Sequence, residues 1–101
     1  ELALFGDIIS AADASEMGLV NRVLPDSELD AFVDGWARRL AAGPPIALAL
    51  TKRMLNNAMN VTMEEALDDE GAAQTVNFGT KDTIEAMSAF TEKREPKFKG
   101  Y

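Results

Sequence analysis

The side chains that could do chemistry in this chain are carboxylates and amines, because its 101 residues include no histidine and no cysteine. Without these two residue types, no Ser-His-Asp triad, Cys-His pair, thiolate nucleophile or histidine- or cysteine-based metal site can form. Any acid–base chemistry would fall to carboxylates, or to lysine or the single tyrosine. The serines have no histidine partner, and no glycine-rich phosphate loop of known spacing is present.

The densest group of carboxylates lies past the middle of the chain. It comprises Glu64, Glu65, Asp68, Asp69 and Glu70. One interpretation is a metal or acid–base site, but the run lacks the calcium-loop pattern of alternating oxygen ligands around a glycine. The other is a solvated helix face, whose first-turn carboxylates the helix dipole favours. We expect the second, and therefore predict no metal site.

The last nine residues carry charge of the opposite sign. Four of the ten basic residues lie here: Lys93, Arg94, Lys97 and Lys99. Segment 93–101 carries +3, so the rest of the chain carries −10 of the total of −7. Two interpretations stay open. Lys93 and Arg94 complement the negative end of the last helix, or the segment binds a phosphate-bearing ligand whose base stacks on Phe90 and Phe98.

The charge and hydropathy of the whole chain argue against other classes of function. A net charge of −7 disfavours binding to nucleic acid or to an anionic membrane surface. No apolar run approaches the roughly 20 residues that a helix needs to span a bilayer, and no signal peptide is visible. We therefore expect no nucleic-acid partner, no membrane association and a cytoplasmic location.

The elements that must position these residues are mostly helices. Ala, Leu and Met total 31 residues against 9 for Val and Ile, which favours helix over strand. Ser10 and Thr62 each precede an acidic residue by three, as in a capping box, and Thr80 can cap the last helix. The predicted fold class is mainly α, a small helical domain of about five helices with one short strand at residues 20–24. A lone strand needs a sheet, which would have to lie outside the chain.

Four segments carry a resemblance, and they follow one another in a fixed order. Residues 4–14 read LFGDIISAADA, and residues 17–25 read MGLVNRVLP. Residues 42–47 read AGPPIA and are followed by Thr51 and Lys52, and residues 88–100 read SAFTEKREPKFKG. Together they resemble the C-terminal part of the enoyl-CoA hydratase/isomerase (crotonase) family, over essentially the whole chain.

The resemblance implies that residues 1–101 are the C-terminal helical domain of a longer crotonase-type protein. Such a protein acts on acyl-CoA thioesters, by hydration or isomerisation of a 2-enoyl-CoA, and needs no separate cofactor because CoA is part of the substrate. The family's N-terminal β/α core holds the oxyanion-hole amides and the catalytic carboxylates, which would all precede Glu1. We therefore assign no catalytic residue to this chain and expect it to be inactive alone.

The resemblance also implies roles in binding and assembly. In the family, the C-terminal helices close the acyl-CoA site and build a trimer interface, so a homo-oligomer, a trimer or dimer of trimers, is expected of the parent protein. Near the C-terminus, family members contact the adenosine end of CoA, and the matching positions here are Phe90 and Lys93. An aromatic residue that some members use a dozen or more residues earlier corresponds to Gln74.

The alternative function is a free-standing, non-enzymatic helical interaction module. The absence of a starting Met and the unpaired strand count against it. The length of the intact polypeptide separates the two hypotheses, because a crotonase-type protein has about 250 to 270 residues. We further expect the isolated chain to expose apolar surface and to associate with itself.

Overall fold

Six α-helices make up the regular structure of the chain, in a computed structural model that describes residues 1–101. They are α1 (Leu2–Phe5), α2 (Ala11–Glu16), α3 (Asp26–Ala41), α4 (Pro45–Asn57), α5 (Met63–Phe78) and α6 (Lys81–Glu92). The mainly α prediction is confirmed, with six helices where about five were expected. None of these helices is long and apolar enough to cross a membrane. The chain divides into two compact units, Glu1–Trp36 and Ala37–Tyr101.

The short strand predicted at residues 20–24 does not form. Residues 17–21 are turns and bends after α2, and residues 22–25 adopt no regular structure. A strand needs a neighbour to satisfy its N–H and C=O groups, and no other segment of the chain is extended beside it. The apolar composition of these residues was therefore not enough to make them a strand.

In the first unit, α2 begins at the cap that the sequence indicates and ends at a glycine turn. The Ser10 Oγ accepts the N–H of Asp13 at 3.1 Å, and the Asp13 carboxylate accepts the N–H of Ser10 at 3.2 Å. Gly18 has a φ of 74°, and this left-handed turn lets the N–H of Leu19 donate to the carbonyl of Ala14 at 2.8 Å. Ala14 is the only buried residue of the unit.

The apolar residues of α3 recur at helical spacing and form one stripe, most of which is exposed. Leu29, Val33 and Trp36 are 47%, 54% and 44% exposed. Phe32 is half-buried and packs on Trp36 along the same helix, with ring centroids 4.9 Å apart and planes tilted by 45°. The stripe is thus organised for packing, yet nothing in its unit covers it.

In the second unit, α5 packs against both α4 and α6. Pro45 opens α4, and a reciprocal capping box between Thr62 and Glu65 opens α5. The Thr80 Oγ accepts the N–H of Thr83 at 3.2 Å and so caps α6. The interior is small, and its buried residues are Ala73, Thr80, Asp82 and Ala89.

The chain leaves much more surface exposed than a self-contained protein of its size. Its accessible area is 8628 Å², whereas a packed monomer of 10.9 kDa exposes about 5,600 Å². Twenty-three large apolar side chains are exposed, and every buried apolar residue is an alanine. The apolar faces of these helices are therefore available to pack against something else.

Candidate functional site

The C-terminal tail, residues 94–101, folds back along α6 in the opposite direction. At the start of α6, the N–H of Lys81 donates to the carbonyl of Tyr101 at 2.8 Å. At the other end, the N–H of Arg94 donates to the carbonyl of Ala89 at 3.0 Å. The Lys81 ammonium also lies 4.6 Å from the centroid of the Tyr101 ring, a cation–π contact. The helix therefore fixes both ends of the tail.

The carboxylate of Asp82 anchors the distal half of the tail. Its Oδ1 accepts the N–H of Lys99 at 2.7 Å, and its Oδ2 accepts the N–H of Gly100 at 2.8 Å. Asp82 is only 6% exposed, so these two amides replace the water that the carboxylate would otherwise bind. Gly100 has a φ of 81°, and a Cβ there would lie 2.8 Å from the Cγ of Pro45. Only glycine fits this approach.

The carboxylate of Glu85 anchors the proximal half of the tail. Its Oε1 accepts Nη1 of Arg94 at 2.5 Å, its Oε2 accepts Nη2 at 2.9 Å, and Oε1 also accepts the N–H of Lys97 at 2.8 Å. The guanidinium's second partner is Glu92, which accepts from Nε at 2.6 Å. The Arg94 hydrogen bonds first, and the Lys97 amide second, lower the pKa of Glu85 to about 2. The hydrogen bonds to Glu85 first, and to Glu92 second, raise the pKa of Arg94.

Phe90 and Lys93, the two residues that the sequence offers for CoA binding, lie at the C-terminal end of α6. Phe90 is 87% exposed, and Lys93, three residues later in the sequence, is also exposed. Lys93 has a φ of 54°, the only left-handed residue other than glycine, and its N–H donates to the carbonyl of Phe90 at 3.3 Å. The turn that ends α6 thus brings an accessible ring and an accessible ammonium to one end of the helix.

Three of the four basic residues of the C-terminal segment line one cavity. Arg94, Lys97 and Lys99 all line a cavity of about 540 Å³ between α6 and the tail, and the Arg94 guanidinium is also bound by two carboxylates. Neither Phe90 nor Lys93 lines this cavity. The Arg94 side chain thus binds carboxylates rather than the carbonyls at the helix end, and binding of a phosphate-bearing ligand stays a prediction.

Phe98 and Gln74 do not line the cavity that Lys97 and Lys99 line. They line a separate cavity of about 300 Å³ among residues of α4, α5 and α6, and Phe98 is half-buried there. The Phe98 ring therefore lines a cavity that Phe90 does not line. Stacking of both rings on one base stays a prediction.

Sequence reasoning did not find Asp82 and Glu85, which hold the tail. The available signal was a pair of carboxylates three residues apart on the last helix, followed by a basic segment. The acidic run on α5 is exposed apart from the half-buried Asp69, and Glu65 serves the capping box, whose backbone and side-chain hydrogen bonds from Thr62 lower its pKa. No three carboxylates lie close enough together to hold a metal ion.

Residues 1–101 match the family model for enoyl-CoA hydratase/isomerase. The chain belongs to this family. The probable mitochondrial enoyl-CoA hydratase of Dictyostelium discoideum is 34% identical over 96 residues, which cover 95% of this chain and 35% of that protein. The 1,2-epoxyphenylacetyl-CoA isomerase of Escherichia coli K12 is 37% identical over 99 residues, which cover 98% of this chain and 38% of that protein.

Solved structures of the family share the fold. The crystal structure of a putative enoyl-CoA hydratase from Streptomyces coelicolor A3(2) superposes with a TM-score of 0.90 at 33% identity, covering 97% of this chain and 36% of that one. The resemblance seen in the sequence is thereby confirmed. The chain spans about a third of the length of the curated relatives it matches. Their names include both hydratases and isomerases, so membership does not choose between the two reactions.

Proposed function

We propose that this chain is the C-terminal helical domain of a longer enoyl-CoA hydratase or isomerase, in which it contributes to oligomerisation and to the CoA site. The intact enzyme acts on an acyl-CoA thioester in the cytoplasm, with CoA as part of the substrate and no separate cofactor. The family match along residues 1–101, which covers about a third of each relative, carries this proposal.

The carboxylates of the tail region support the view that the chain itself supplies no catalytic residue. An acid–base carboxylate must reach a proton of the substrate. Both oxygens of Asp82 and both oxygens of Glu85 already accept hydrogen bonds from the tail. We propose that the amides that bind the thioester oxyanion and the carboxylates that move protons belong to the remainder of the enzyme.

Phe90 and Lys93 are the residues proposed to contact CoA. An exposed aromatic ring can stack on an adenine, and an ammonium without a carboxylate partner can pair with a phosphate. The ring is 87% exposed, and no ion pair engages Lys93. These residues would bind the adenosine end of CoA rather than the reacting acyl group.

The exposed apolar faces support the role in assembly. The α3 stripe is about half exposed in its own unit, and Met87 and Ile84 on α6 are 66% and 64% exposed. Surfaces of this kind become buried against another domain or another subunit. A homo-oligomer, a trimer or a dimer of trimers, would cover part of this surface.

The test compares the purified 101-residue chain with the intact protein that contains these residues. Turnover of crotonyl-CoA is measured by the loss of its enoyl absorbance. We expect turnover only by the intact protein. Lys93→Ala in the intact protein should raise KM about tenfold with little change in kcat, as expected for loss of one charged contact. Lys52→Ala, which removes an exposed ammonium on α4 and so changes the charge equally, serves as control. Turnover by the chain alone, or an unchanged KM, would contradict the proposal.

A further inference from the structure

We infer that Glu85 and Asp82 are positioning residues for the CoA contact, because they fix the turn at Lys93 through the tail. They touch no substrate themselves. The inference rests on the proposed function for its ligand, and it assigns the reason why the backbone that carries the Lys93 side chain keeps its left-handed turn.

The first step is that Lys93 occupies a conformation that a lysine does not hold unaided. Its φ of 54° lies in the left-handed region, which disfavours side chains with a Cβ. The turn persists only where neighbouring contacts hold it. Here the backbone N–H of Arg94, the next residue, donates to the carbonyl of Ala89 at 3.0 Å and locks the turn from the C-terminal side.

The second step is that Glu85 holds Arg94 in place. Two parallel hydrogen bonds of 2.5 and 2.9 Å join the guanidinium to the carboxylate, a geometry that restricts orientation as well as distance. The same carboxylate accepts the N–H of Lys97 at 2.8 Å, so it fixes the chain on both sides of residues 95 and 96. Lys93 is thereby confined between the last turn of α6 and a clamped arginine.

The third step is that Asp82 holds the distal end of the tail against α6. Its two oxygens hold two consecutive amides, those of Lys99 and Gly100, and the carboxylate is 6% exposed. Gly100 also lies against Pro45 of α4, too close for a residue with a Cβ. The tail is therefore tied to α6 at both carboxylates, one turn apart, and cannot pivot about Glu85 alone.

A purely structural role would have different consequences. If the carboxylates only stabilised the tail, their removal would lower stability without acting through Lys93. If they position Lys93, their effect on ligand affinity must vanish once the Lys93 ammonium is gone. A double-mutant cycle separates these cases.

The experiment is an NMR titration of the intact protein that contains residues 1–101 with adenosine 3′,5′-bisphosphate, the adenosine end of CoA. It compares the wild type with Glu85→Gln, Asp82→Asn, Lys93→Ala and the double variant Glu85→Gln/Lys93→Ala, with Glu64→Gln as the charge-matched control. Spectra outside residues 93–101 report whether each variant keeps its fold, and Asp82→Asn provides a second route should Glu85→Gln lose it.

We expect Lys93→Ala to weaken binding about tenfold, and Glu85→Gln and Asp82→Asn to weaken it several-fold. The double variant should bind no more weakly than Lys93→Ala. Weakening by Lys93→Ala with none by the carboxylate variants, or an equal effect of Glu85→Gln in both backgrounds, would overturn the inference alone. No shifts at Phe90 and Lys93 in the wild type would overturn the proposed CoA contact and the inference with it.

Discussion

Lys93 combines two properties that substitutions can separate, a positive charge and a left-handed backbone. The charge is the one proposed to meet a phosphate, and the backbone at φ 54° ends α6. A glycine would remove the charge but suit the turn, whereas an alanine would remove the charge and keep the strain. The two variants should therefore agree in ligand binding and differ in stability.

We predict that Lys93→Gly is more stable than Lys93→Ala by about 1 kcal/mol, the usual cost of a Cβ in the left-handed region. Urea unfolding followed by circular dichroism measures the difference in the free energy of unfolding. Equal stabilities, or a more stable alanine variant, would show that the turn relaxes out of the left-handed region.

The hydrogen bonds that the Glu85 carboxylate accepts from Arg94 and Lys97 should persist in mildly acidic solution. Because its pKa is lowered from 4.5 to about 2 in the folded chain, the pair with Arg94 and the Lys97 amide contributes stability above pH 4.5. That contribution is lost as the pH falls from 4.5 through about 2. We expect the Lys97 amide to remain protected from hydrogen exchange at pH 4 and to lose protection near pH 2. Loss of protection already near pH 4.5 would contradict the strong pairing of this carboxylate.

At the scale of elements, the helix starts were the most predictable feature. Ser10, Thr62 and Thr80 all cap where the sequence indicated, because capping depends on residues three apart. The return of the tail was not predictable in the same way. It depends on hydrogen bonds that Asp82 makes with amides 17 and 18 residues away.

The strand and the α3 stripe show the other limit of sequence reasoning. The apolar composition of residues 20–24 suggested a strand, but no partner strand exists in the chain to satisfy it. The spacing of Leu29, Val33 and Trp36 places them on one helix face, yet spacing alone does not state what covers that face. Phe90 and Lys93 were identified from the family resemblance, and their role as ligands remains a prediction.

The capping box of α5 offers a matched pair of tests on one helix. Thr62 Oγ1 accepts the N–H of Glu65 at 3.3 Å, while Thr75 Oγ1 donates to the carbonyl of Gly71 at 2.9 Å within the helix. Thr62→Ala should lower the free energy of unfolding by about 1 kcal/mol, because it leaves an end amide without its acceptor. Thr75→Ala should be neutral or slightly stabilising. Equal losses in urea midpoints would argue against the cap.

At the scale of the whole molecule, the exposed apolar surface governs behaviour in solution. With 8628 Å² accessible and only alanines among its buried apolar residues, the isolated chain should associate with itself. Sedimentation velocity should show the average mass rising with concentration, and added salt should not abolish the effect because the contacts are apolar. A stable 10.9 kDa monomer at high concentration would contradict this expectation.

The length of the intact polypeptide in the source cells tests the central proposal most directly. In the relatives, 99 aligned residues are 38% of one protein and 96 are 35% of another, which corresponds to totals of about 260 to 275 residues. Mass spectrometry of the native protein carrying residues 1–101 should therefore find a chain of about that length. A native polypeptide of 10.9 kDa would contradict the proposal that this chain is one domain of a larger CoA enzyme.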